Sequence, residues 1–116
     1  VLDSGLRQPF ATFFSQVWAE DVSSRNNALF NRFYPHLSQP VAVMSITGTR
    51  HYDFSDLPAL SPLAAQLGLK GPINGVRVQT LIQDYVLAFF DLQFKGTPSP
   101  LFDGPNPAYP EVNFLK

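Results

Sequence analysis

Val41-Ala42-Val43-Met44-Ser45-Ile46-Thr47-Gly48-Thr49-Arg50-His51 reads as an apolar strand, a glycine stop and a histidine just beyond it. Both faces of Val41–Thr47 are apolar, the pattern of a strand buried in a parallel sheet with helices on either side. Upstream, Pro9-Phe10-Ala11-Thr12-Phe13-Phe14-Ser15 has the same character and strand length. Between the two, residues 16–22 read as a loop holding Trp18. A helix is expected from Ser23 or Ser24 to about Leu37, with a serine as N-cap and Leu29, Phe30, Phe33 and Leu37 at helical spacing. Pro40 ends that connection.

Downstream of Ile46, Gly48 to Pro58 forms a loop dense in polar and aromatic residues, and a short helix is expected around Ser61–Leu67. Gly68 to Pro72 breaks it. Asn74 caps a final helix running to about Phe94 and closed by Gly96, with Val78, Leu81, Ile82, Tyr85, Val86, Phe89 and Phe90 as a wide apolar stripe. Residues 97–116, rich in Pro, read as an extended tail on the surface. Strands alternating with helices predict an α/β fold around a mostly parallel sheet. Two strands make no stable open sheet, and Val1-Leu2-Asp3 reads as the end of a further buried strand, so the chain reads as a fragment of a longer one.

Composition narrows the function. Of 116 residues, 45% are hydrophobic and 14% aromatic, which predicts a packed chain rather than a disordered one. The net charge of −1 includes no basic stripe, so there is no electrostatic footprint for nucleic acid. The absence of cysteine excludes disulfides and thiolate chemistry. No apolar run approaches the ~18–20 residues that span a bilayer.

His51 is the leading candidate for chemistry, because sites in parallel α/β sheets assemble beyond the carboxyl ends of strands and histidine exchanges protons near neutral pH. Asp3, at the end of an apparent strand one strand–helix–strand unit earlier, is the preferred candidate to orient it, with Asp53 and Asp56 as alternatives that a short loop would have to fold back onto Nδ1. Acid followed by histidine fits the last two places of the serine, acid, histidine order of α/β-hydrolases. No Gly-x-Ser-x-Gly elbow is present, so the serine and the oxyanion hole are expected on an upstream segment or a separate chain. Trp18 and Phe14 are candidates to line a substrate pocket. His51-x-Asp53-x-x-Asp56 does not read as a metal site, since carboxylates in such a loop serve equally to cap helices or accept backbone N–H groups.

Gly48-Thr49-Arg50-His51-Tyr52-Asp53-Phe54-Ser55-Asp56 resembles the histidine loop, Gly-x-x-His-x-x-Phe-x-Asp, of the platelet-activating-factor acetylhydrolase family, plasma and type II. Val1-Leu2-Asp3 looks like that family's hydrophobic-Leu-Asp segment. Pro9 to Trp18 is similar to its next strand and exit, with Gln16 in place of an acidic residue, and Leu69-Lys70-Gly71-Pro72-Ile73 to the turn before its last helix. The resemblance covers residues 1–96. It implies the C-terminal portion of an α/β-hydrolase domain and calcium-independent, cofactor-free ester hydrolysis. Asp3 would be the triad acid, His51 the general base, Phe54 a pocket and loop residue, and Asp56 a support of the loop. Substrates would be small esters or lipids with short or oxidised acyl chains, with contact to a membrane surface permitted. Dienelactone-hydrolase-like chemistry, polyester hydrolysis and a non-catalytic binding module are the alternatives.

Overall fold

The computed structural model describes residues 2–61 and 63–116, and the side chains of all of these except Pro58 and Ala59. Strand β1, Pro9–Ser15, pairs in parallel with β2, Gln39–Ile46, from Pro9 opposite Gln39 to Ser15 opposite Ile46, with one register irregularity after Phe10. Successive side chains on a strand leave opposite faces. Met44, Ile46 and Ala42 therefore meet one layer of the molecule, and Val43 and Ser45 the other.

The first layer is helix α4, Gly75–Lys95, which begins where the Asn74 side chain accepts the Arg77 N–H at 3.0 Å and ends at Gly96. Its Val78, Leu81 and Tyr85 join Ala42, Met44, Ile46 and Val112 in a core in which no residue is more than 3% exposed. On the other face, Phe14 meets Phe30 edge-to-face at 4.9 Å between ring centres. Phe30 belongs to α2, Arg25–Phe33, whose N-cap is Ser24. Layers on both faces of a parallel strand pair are what the apolar strands require.

Several elements depart from the sequence reading. Residues 16–20 form a short helix, α1 (Gln16–Glu20), because the Ser15 side chain caps the Trp18 N–H. Helix α2 stops at Phe33, short of Leu37. Pro35 has no N–H to continue the α-helical ladder, and the chain passes into a 3₁₀ turn, Tyr34–His36. Helix α3 is Leu57–Leu60, earlier than expected. Residues 63–68 are turns, and Pro62, inside the expected helix, lies outside the described residues.

The largest departure is the tail. Residues 112–114 form β3 (Val112–Phe114), antiparallel to β2 with Val112 opposite Ile46, so the sheet is mixed and the tail contributes Val112 to the core. A polar clamp holds it to α4. The Arg77 guanidinium donates to both Glu111 carboxylate oxygens at 2.9 and 3.0 Å and sits 4.8 Å from the centre of the Tyr109 ring. The Tyr109 hydroxyl donates to the Asp84 carboxylate. No described helix is long and apolar enough to cross a membrane.

The hydrogen bond from Arg77 holds the Glu111 carboxyl below the usual glutamate range. A lowered folded-state pKa adds stability above the unfolded value and loses it as pH falls through the folded one. Glu111→Gln should therefore lower Tm by about 2–4 °C at pH 7, and the difference from the parent should close below about pH 4. Thermal melts at a series of pH values check this, and a constant gap would sever the clamp from tail stability.

Candidate functional site

The carboxyl end of β2 leads into Thr47, Gly48, Thr49 and Arg50, and then into a 3₁₀ turn, His51–Phe54. Three side chains fix this path. The Gln16 amide oxygen, one residue beyond β1, accepts the Gly48 N–H at 2.6 Å. Buried Thr49 donates its hydroxyl to the Ile46 carbonyl at 2.5 Å and accepts the Gln16 N–H at 3.2 Å. Buried Asp53 accepts the Arg50 N–H and the Gly71 N–H on one oxygen, each at 2.7 Å. Arg50 in turn donates to the Gly68 carbonyl at 2.8 Å. The histidine loop is thus tied to the exit of β1 on one side and to the turn at 68–73 on the other.

Within that frame His51 is exposed, at the rim of a cleft of about 840 Å³. Phe14, Trp18, Tyr52, Phe54 and Leu69 give the cleft an apolar wall, and Asp21, Asn26 and Arg50 a polar margin. Phe14 and Trp18, both expected in a pocket, meet the histidine loop here because α1 folds back from the end of β1. Their rings pack edge-to-face. Asn27 secures the turn after α1 by donating to the carbonyls of Trp18 and Asp21 at 2.7 and 2.6 Å. Phe54 lines the same cleft and is 38% exposed.

Asp3 is not brought to His51. It lies in an exposed turn over residues 2–4, with Val1 outside the described residues. Its two oxygens accept the Arg32 Nε–H and Nη2–H at 2.6 Å each, and this hydrogen bonding holds the carboxyl below the usual aspartate range. Arg32 is in the last turn of α2, which returns to the amino edge of the strands. The Leu6 carbonyl accepts the Ser38 N–H at that same edge. A Cβ on Gly5 would lie 1.7 Å from the His36 carbonyl oxygen, so this segment is pressed against the entry to β2. His51 follows the other end of β2. Seven residues of strand, roughly 20 Å, lie between the two edges. Val1-Leu2-Asp3 reads as a strand end, but residues 2–4 form a turn, and the contacts of Asp3 lie at the edge away from His51.

Asp56 does not support the loop through its side chain. It is exposed and makes no cap hydrogen bond to α3. Asp53 has that role instead, and its burial depends on the distant turn at Gly71, a contact that local sequence does not disclose. Among the described residues, Asp21 is the carboxylate nearest in place to the cleft, but its Oδ1 accepts from the Ser23 hydroxyl at 3.1 Å.

No protein-family profile matches the chain, and no curated protein sequence matches it. Among solved structures it is similar to a ferulic acid esterase from Streptomyces cinnamoneus, with a TM-score of 0.80 and 26% identity over 97% of this chain and 35% of that one. The chain therefore spans about a third of that esterase's length. The similarity supports an esterase-type hydrolase fold and does not single out the platelet-activating-factor acetylhydrolase family.

Proposed function

We propose that this chain forms the histidine-bearing part of a serine ester hydrolase, with His51 as general base. The observation that carries the reading is the position of His51. It is exposed beyond the carboxyl end of a parallel strand, in a loop braced from both sides, at the rim of an aromatic-lined cleft. The likeness to an esterase over 97% of the chain supports it.

In this reading a serine outside these residues attacks the ester carbonyl while the His51 imidazole takes its proton. The proton then passes to the leaving alkoxide as the acyl bond to the alcohol breaks. Water, deprotonated in turn by His51, releases the acid and restores the serine. The oxyanion-hole donors, like the serine, belong in this reading to an upstream segment or a separate chain, and the orienting carboxylate is one other than Asp3 and Asp53. Asp3 is held by Arg32 at the far edge, and Asp53 is bound to backbone amides. Phe14, Trp18 and Phe54 take the apolar part of the ester. Their flat faces suit an aromatic acyl group, the kind named for the similar esterase, more directly than a charged headgroup.

His51→Gln in the native enzyme should lower kcat for p-nitrophenyl acetate by about 10³-fold or more, with the protein still folded. Asp3→Asn should leave kcat within about twofold, against the ~10⁴-fold loss expected of a triad acid. Steady-state kinetics on the two variants separate the roles, and a collapse of kcat in Asp3→Asn would restore Asp3 to the site. Trp18→Ala should cost about 10-fold in kcat/KM for methyl ferulate and less for p-nitrophenyl acetate, whose acyl group is too small to use the wall. An equal loss on both esters would remove Trp18 from acyl recognition.

A further inference from the structure

We propose that Asp53 is a positioning residue for His51, locking the histidine turn onto the turn at 68–73. This rests on the ester hydrolase reading for its catalytic consequence, but the lock itself is a matter of contacts. Asp53 is 1% exposed although it lies two residues from an exposed histidine. Its Oδ2 accepts two backbone N–H groups 21 residues apart in the chain, those of Arg50 and Gly71. Its Oδ1 is buried without a hydrogen-bond partner. A half-satisfied buried carboxylate is costly, and a fold with no use for it would do better with an apolar residue.

The two turns are in close contact. A Cβ on Gly71 would lie 1.9 Å from the Gly48 carbonyl oxygen, so only glycine lets the backbones approach this far. The same Gly48 carbonyl accepts the Ile73 N–H at 3.2 Å. Arg50 bonds the Gly68 carbonyl, and the Lys70 ammonium donates to the Gly71 and Ile73 carbonyls at 2.8 and 2.6 Å, closing the turn on itself. Asp53 is the side chain of the histidine turn that reaches the backbone at Gly71. Its acceptor oxygen fixes the amide of Arg50, the residue directly before His51. Without it, the buried Gly71 N–H and the part-buried Arg50 N–H lose their partner, and the imidazole loses the anchor on one side of its backbone.

The test reads p-nitrophenyl acetate turnover and amide hydrogen exchange on the native enzyme. In Asp53→Ala, kcat should fall about 100-fold, the scale of a 1 Å misplacement, with KM changed by less than about threefold. The Gly71 amide, protected in the parent, should exchange as an open loop does. Asp53→Asn keeps a carbonyl oxygen able to accept both N–H groups, so it should hold kcat within about fivefold and keep Gly71 protected. A folded Asp53→Ala enzyme with parental kcat and a protected Gly71 would overturn the proposal. So would Asp53→Asn falling as far as Asp53→Ala while Gly71 stays protected, since the effect would then belong to charge. Failure of the ester hydrolase reading looks different. His51→Gln would leave turnover unchanged, and the Gly71 exchange of Asp53→Ala would then decide the lock alone.

Discussion

Because β1 and β2 run parallel with Ser15 opposite Ile46, the segments that follow them leave the sheet at one edge, side by side. The structure of the candidate site is a consequence of this pairing. Helix α1 and the histidine loop start as neighbours, and Gln16 and Thr49 bond across the gap between them. An antiparallel partner would have placed Trp18 and His51 at opposite edges. The cleft exists because parallel pairing gathers carboxyl ends.

The same pairing separates what the sequence suggested was joined. Residues before β1 and residues before β2 meet at the amino edge, where Arg32 holds Asp3 and Gly5 presses on His36. That ion pair is solvent-exposed and screened, so its weight in stability is small. Its weight in the functional argument is large, because a carboxylate with both oxygens engaged at the wrong edge cannot orient an imidazole at the other. In the ester hydrolase reading, the carboxylate that orients His51 is therefore one other than Asp3; the similar esterase is nearly three times as long as this chain.

Those features written in local pattern were legible in the sequence. β1 falls on the expected residues, and α4 within about a residue of its expected ends, since a long apolar stripe with an asparagine cap and a closing glycine is an unambiguous signal. His51 in a loop beyond a buried strand was equally plain. Features defined by long-range contacts were not. Helix α1 is too short to show periodicity, and β3 is three residues whose strand character comes from β2 and from the Arg77–Glu111 clamp. Asp53 looked like one polar residue of a polar loop until Gly71 closed over it. Asp3 followed two apolar residues, and nothing nearby announced Arg32 as its partner.

The claim that matters most is that His51 activates a serine lying outside these residues, and covalent trapping addresses it directly. The native enzyme would be treated with a serine-reactive organophosphate and the modified peptide located by mass spectrometry, in the parent and in His51→Gln. The expected result is a single labelled serine outside residues 1–116, modified at least about 100-fold more slowly in His51→Gln. A label on a serine of this chain, or a labelling rate indifferent to His51, would contradict it.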